Sequence, residues 1–206
     1  MKQINNIEQK SEQWLHIRKG KITGDCLASI MGTPVARETA FYEKLAERLT
    51  VGVEIEYEND IDRGNRLETE AIAMFELETG KKVSSIGFRQ SDESEFIGNS
   101  PDGGVEDVDD TEDVEIKCPN GTNYVRAWLK DEVPKQYRWQ KVQYFVVNEK
   151  LQTLWFALYN PTITVHPLHI IKVERKDVLQ DIEDAKEEQK KFLAEVEEEL
   201  SKIIKL

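Results

Sequence analysis

Asn99-Ser100-Pro101-Asp102-Gly103, followed by Val114-Glu115-Ile116-Lys117-Cys118-Pro119, is the stretch on which the reading of this 206-residue chain turns. Asp102 lies in a Pro/Gly turn at the end of an extended segment. Glu115 comes 13 residues later and alternates with apolar neighbours. On a strand, that spacing puts Glu115 and Lys117 on one face and Val114 and Ile116 on the other. A hairpin between the two segments would bring Asp102 alongside Glu115. Two carboxylates and the backbone carbonyl of Ile116 make a hard-oxygen pocket of the kind that takes Mg²⁺ or Mn²⁺. Lys117, beside a metal-bound water, could orient or deprotonate it and offset the charge that grows in phosphodiester hydrolysis. An Asp in a Pro-Asp-Gly turn is ordinary turn chemistry, and Glu-x-Lys on a strand can be a solvated ion pair. Both on consecutive strands is a more specific pattern than either alone.

Outward from this stretch, the chain reads as helices, a strand meander, helices, two strands and a helix. Helices are predicted over 11–19, 24–31, 37–50 and 62–79. The last carries Leu67, Ala71, Met74 and Phe75 at helical spacing and stops at Gly80. It also carries Glu68, off its apolar stripe, as a further carboxylate for a metal. Strands are predicted at 82–88, 95–98 and 113–118. Helices follow at 122–131 and 135–148, then strands at 151–159 and 163–173. A long charged helix covers about 176–205. The pattern implies an α/β (α+β) class with a central mixed β-sheet flanked by helices, and one domain over 1–206.

The formal net charge is −12, from 28 Lys+Arg and 40 Asp+Glu. Taken whole, it argues against a nucleic-acid partner, since phosphate binding rests on Lys and Arg. The distribution reverses that reading. Residues 92–116 carry −11, whereas 1–50 carry +2 and 117–150 carry +4. The acidic block contains Asp102 and Glu115. Asp107, Asp109, Asp110, Glu112 and Asp113 are expected to form an exposed hairpin tip facing away from DNA. Arg18, Lys19 and Lys21 cluster early. Arg126, Lys130, Lys135, Arg138 and Lys141 cluster late, interleaved with Tyr124, Trp128, Tyr137 and Trp139, a composition suited to phosphate contact and base stacking. These aromatics equally suit a core. His16, His166 and His169 show no metal spacing. Cys26 and Cys118 form no Cys-x-x-Cys pair, which excludes a zinc ribbon or four-Cys cluster within one chain. The N-terminus lacks an apolar signal core, and the longest uncharged run, Leu151–Ile171, is divided by Pro161 and Pro167. The expectation is a cytoplasmic protein with no membrane partner.

These motifs resemble those of the PD-(D/E)XK nuclease superfamily, and more closely the phage lambda exonuclease and YqaJ-type viral recombinase family. Trp14 through Thr23 is similar to the family's W-x-x-x-R-x-G-x-I-T segment. Arg63-Gly64 through Glu68 is similar to its G-x-x-x-E helix. Asn99–Gly103 and Glu115–Pro119 match its S-P-D-G and E-[IL]-K-C-P motifs, and Tyr137 to Tyr144 resembles its Gln-bearing helix. The resemblance implies that Asp102, Glu115, Glu68 and the carbonyl of Ile116 bind metal and that Lys117 is the catalytic lysine. It implies that Arg18 binds a 5′-terminal phosphate and that Gln140 or Gln143 lies near the attacking water or the DNA end. The implied activity is a Mg²⁺-dependent 5′→3′ exonuclease on double-stranded DNA ends, in a ring-shaped homotrimer working with a phage single-strand annealing protein. A phage or prophage origin in a bacterial host follows. Two positions depart from the pattern. Gly24 and Asp25 stand where the family commonly has a small residue and a Ser, and a carboxylate there would repel a phosphate. The glutamines are three apart, and either Gln140 or Gln143 can hold the functional position. Two other readings fit the residues: an endonuclease of the same superfamily, and a non-catalytic acidic interaction protein that mimics DNA.

Overall fold

The structure is a computed structural model and describes residues 1–50 and 60–205, with side chains of the helix that begins at Asp60 described from Leu67 onward. Arg63 and Gly64 of the family-like segment therefore lie outside the described side chains. In chain order the elements are β1 (Lys2–Ile4), α1 (Glu12–Arg18), α2 (Gly24–Ile30), α3 (Pro34–Leu49), α4 (Asp60–Thr79), β2 (Val83–Ser84), β3 (Phe88–Gln90), β4 (Gly98–Asn99), β5 (Gly103–Val105) and β6 (Glu112–Lys117). Then come α5 (Gly121–Lys130), α6 (Arg138–Val147), β7 (Thr153–Tyr159), β8 (Leu168–Glu174) and α7 (Leu179–Ile204).

A five-stranded mixed sheet runs β2-β5-β6-β7-β8, and a three-stranded sheet runs β1-β3-β4. Among the described strands β6 and β7 are the pair that runs parallel, and α5 and α6 form the crossover between them. Strand β7, Thr-Leu-Trp-Phe-Ala-Leu-Tyr, is apolar on both sides because both faces are covered. Its Phe156 and Leu158 join α2, α6 and α7 in the larger core, which also holds Phe145 and Phe192. On the opposite face Ala157 and Tyr159, with Val114 and Ile116 of β6, pack on Leu67, Ala71 and Phe75 of α4. The sheet is thus sandwiched between α4 and the α2–α6–α7 layer, with β6 at its centre.

The helices begin for local reasons. Ser11, Thr33 and Asn120 cap α1, α3 and α5 by accepting the backbone N–H three residues on. Helix α3 starts with Pro34, earlier than the expected 37, because Thr33 and Pro34 form a cap and first-turn pair.

Two expectations are corrected. The single strand expected at 82–88 is two strands in different sheets, β2 against β5 and β3 against β1 and β4. Gly87 marks the switch: a Cβ there would come within 2.5 Å of the Ile7 carbonyl and 2.6 Å of that of Ile4, so only glycine lets the N-terminal segment cross. The acidic tip is also smaller than expected. Asp107 and Asp109 are exposed, with left-handed backbones that Asp tolerates. Asp113, however, is buried against Arg89, and Glu112 accepts from the Trp155 indole at 2.6 Å and pairs with Lys81 at 2.9 Å. Both residues lie on paired strand β6 and are withdrawn from the tip.

Candidate active site

The hairpin expected between the two motifs is present. Strand β5 pairs with β6 so that Gly103 faces Val114, which sets Asp102 beside Glu115. The Ile116 N–H donates to Asp102 Oδ2 at 2.6 Å and locks that position. Alternation along β6 sends Asp113, Glu115 and Lys117 to the α6 face and Val114 and Ile116 to the α4 face. Lys117 Nζ lies 2.7 Å from Glu115 Oε1 and 5.3 Å from the Tyr137 ring centre. Glu68 reaches the site from α4, where Lys10 pairs with it at 3.1 Å.

The electrostatics report an excess of negative charge. Burial, then Glu115, then Glu68 push the Asp102 carboxyl well above the usual carboxylate range, with Lys117 opposing. Burial works against the charge on Lys117, but Glu115 and Asp102 outweigh it and hold the ammonium above its ordinary pKa. Lys117 is therefore held protonated and acts here as a local cation.

Helix α6 supplies the next layer. Gln140 Nε2 donates to Glu115 Oε1 at 3.0 Å, and the Tyr144 hydroxyl donates to Glu115 Oε2. Burial and the Glu115 and Asp102 charges keep that phenol protonated. The two glutamines part company. Gln143 is fully buried and donates to the carbonyl of Ile22 at 3.2 Å and to Gln189 at 3.1 Å. It ties α6 to the Ile22–Ile97 bridge and to α7, while Gln140 faces the carboxylates. The contact is close because of Gly24: a Cβ there would meet Gln140 Cγ at 2.7 Å.

Arg18 lies at the same mouth. Its guanidinium stacks on Trp14 at 4.0 Å and donates to Ser100 Oγ at 3.2 Å and Thr23 Oγ1 at 3.4 Å. Ser100 also accepts from the Trp14 indole at 2.9 Å, so the Trp-x-x-x-Arg segment is fastened to the Asn-Ser-Pro-Asp turn. Burial lowers the Arg18 pKa, and Asp25, exposed on the first turn of α2, is the foremost charge opposing that. Lys21 donates to the Glu95 carbonyl and Lys19 to that of Thr50, so both anchor the N-terminal segment. Arg126 is exposed on α5, hydrogen-bonded to Asn123 at 3.3 Å, and Lys141 is half-buried on α6. Among the described residues Arg18, Lys21, Arg126, Lys130, Lys135 and Lys141 have no carboxylate within 4.0 Å. These are side chains grouped from sequence as phosphate contacts, whereas many other cations of the chain are paired.

Tyr144 was not singled out by sequence reasoning as a site residue. Its signal was present, because it follows Gln140 by four residues and a helix puts such positions on one face.

Among the described residues no three His, Cys, Asp or Glu side chains converge to hold a metal ion as a group. The groups that do meet are the Asp102 and Glu115 carboxylates, with the Ile116 backbone fastened to Asp102 at the end of β6. This set fits a hard cation that keeps several waters, as Mg²⁺ does. The upward push on Asp102 has the same meaning, since added positive charge would relieve it. Among the described residues no helix is long and apolar enough to cross a membrane.

A family model, the YqaJ-like viral recombinase domain, matches residues 13–150. No curated protein matches the sequence. Among solved structures, the chain is similar to an alkaline exonuclease, LHK-Exo, from Laribacter hongkongensis, with a TM-score of 0.84 and 29% identity, covering 95% of this chain and 97% of that one. The same enzyme in complex with dAMP matches at a TM-score of 0.83 and 29% identity, covering 94% and 96%. A phage-related exonuclease from Haemophilus somnus 129PT shares the fold at a TM-score of 0.62 and 16% identity, covering 87% and 96%.

Proposed function

Because the chain belongs to the YqaJ-like viral recombinase domain family, we propose that it is an exonuclease of phage-type recombination, digesting double-stranded DNA 5′→3′ with Mg²⁺ as its ion and Mn²⁺ as a substitute. The protein is a deoxyribonuclease with the mixed-sheet core of the PD-(D/E)XK nucleases. The whole chain, 1–206, serves as one nuclease domain. The observation that carries the reading is the pairing of Asp102 with the buried Glu115, set opposite each other by strand register and short of positive charge.

Asp102, Glu115, the Ile116 carbonyl and, across the site, Glu68 would hold the metal. Held by these groups, a divalent ion would activate water for attack and supply charge for the phosphoryl oxygens. Lys117, held protonated by Glu115 and Asp102, stabilises the negative charge of the transition state. Gln140 and Tyr144 each donate to Glu115 and orient its oxygens. Gln143 positions α6 from inside the core. Arg18, held only by neutral partners in its hydrogen bonds, receives the 5′-terminal phosphate. Lys19, Lys21, Arg126 and Lys141 contribute to the field along the DNA. The setting is a ring-shaped homotrimer in the host cytoplasm, passing the exposed strand to a single-strand annealing protein.

The test is digestion of linear duplexes labelled at the 5′ or 3′ end, with and without a 5′ phosphate, in Mg²⁺ and in EDTA. Metal-dependent loss of the 5′ label first, with covalently closed duplex left intact, is expected. Nicking of the closed duplex overturns the exonuclease reading, and no hydrolysis of any substrate overturns the nuclease reading.

A further inference from the structure

Beside the carboxylate site, α5 and the segment from Glu132 to Tyr137 enclose a cleft of about 250 Å³. Its floor is apolar, from Ala127, Val133, Leu158 and the Tyr137 ring, and its rim carries Arg126, Lys130 and Lys135 together with Glu132. The three rim cations have no carboxylate within 4.0 Å among the described residues. That is notable in a chain of net charge −12. The size lies just below the roughly 300–1,000 Å³ of ordinary small-molecule sites, suited to one flat ring system and a phosphate rather than a duplex. Tyr137 joins the cleft to the chemistry, because its ring is both a wall here and the surface under Lys117 Nζ, 5.3 Å away. The ring also packs against Phe156, with centres 5.6 Å apart and planes tilted by 41°, which holds it in place.

We propose that this cleft is a nucleotide subsite that takes one unstacked nucleotide of the DNA strand being cleaved. The base lies on Tyr137, and its phosphate sits among Arg126, Lys130 and Lys135. Base-on-aromatic stacking tolerates any base, and a cationic rim follows the backbone without reading sequence, as digestion of DNA of any sequence requires. The subsite rests on the nuclease reading and deepens it, by holding the strand from the Lys117 side while Arg18 holds it from the α1 side.

The full-length protein is titrated in EDTA with a short oligothymidylate carrying 2-aminopurine, followed by fluorescence and anisotropy. Quenching of the 2-aminopurine by the wild type is expected. The Tyr137→Leu variant weakens binding about fivefold or more, the low end of a lost stacking contact, while Tyr137→Phe binds as the wild type does. Lys130→Glu with Lys135→Glu lowers the salt slope of log K by about 1.4, the single-strand value for two lost phosphate contacts. Lys191→Glu with Lys202→Glu, on the far helix α7, leaves it unchanged. Binding and quenching that both survive Tyr137→Leu and the double Lys variant overturn the subsite. If these variants lose binding of free dTMP, titrated alongside, yet keep oligonucleotide binding, the strand assignment is overturned and the cleft is a site for released mononucleotide. Failure of the subsite is read on a wild type that digests DNA, and failure of the nuclease reading is a wild type that does not.

Discussion

Asp113 and Glu115 sit two residues apart on β6 and on one face of it, and their surroundings differ in charge balance. Asp113 meets a fully buried Arg89 from the three-stranded sheet. Burial pushes its carboxyl up to about 6, with Arg89 as the main opposing influence. Glu115 meets Lys117 and Glu68 meets Lys10, but Asp102 shares the same space, and three carboxylates face two ammonium groups. The first arrangement closes a joint between two sheets. The second holds charge that the chain does not neutralise. Neighbouring positions with the same residue chemistry are thus divided into structure and site by what the third dimension brings to each.

The comparison breaks most visibly at Arg89. Arg89→Ala leaves Asp113 buried and unpaired and is expected to cost about 3–5 kcal/mol, read by urea denaturation. Adding Asp113→Asn should recover a large part of it. Lys117→Ala tests the other side: digestion of linear duplex by the folded protein should fall by about 10²–10³-fold, the scale for one preorganised transition-state donor, and the urea midpoint should fall too, because buried Glu115 loses its ammonium partner. Undiminished digestion by that variant would overturn the role given to Lys117. Asp102→Asn sharpens the contrast further, because removing one of the crowded carboxylates should abolish digestion yet raise the metal-free Tm, by about 2–4 °C for 1 kcal/mol in a chain of this size. A fall in Tm would mean that Asp102 is structural. Tyr144→Phe removes one bond to Glu115 and should slow digestion about tenfold, equivalent to roughly 1.5 kcal/mol.

The smallest effect concerns a thiol away from both carboxylates. Burial pushes the Cys26 thiol up to about 11. A raised thiol pKa keeps the group protonated over a wider range, so the thiolate is scarce at pH 8 and grows only as pH approaches 11. Alkylation of Cys26 at pH 8 should be roughly 200-fold slower than in the urea-unfolded chain, where the pKa is near 8.5. Equal rates would show that Cys26 is not enclosed.

Much of this was legible in sequence wherever it was local. The period of two in Val114–Lys117 separated Glu115 from the apolar face, and the turn residues around Asp102 implied the hairpin that faces the two carboxylates. Helical spacing drew α4, with Glu68 off its apolar stripe. Less legible were features that depend on how layers meet. Gln140 and Gln143, three apart on α6, looked equivalent. One faces the carboxylates and the other the α7 core because α2 packs against α6 at Gly24. The burial of Asp113 was hidden for the same reason, since its partner Arg89 is 24 residues away in another sheet.

The nuclease motif, the order of elements and the identity of the charged groups can be read along the chain, because strand alternation, helical spacing and turn chemistry act over a few residues. Which of those charges are neutralised is a property of the folded molecule. Pairing across sheets and helices depends on contacts between distant segments, and it is the crowding of Asp102, Glu115 and Glu68, together with cations that have no carboxylate partner among the described residues, that marks out the site.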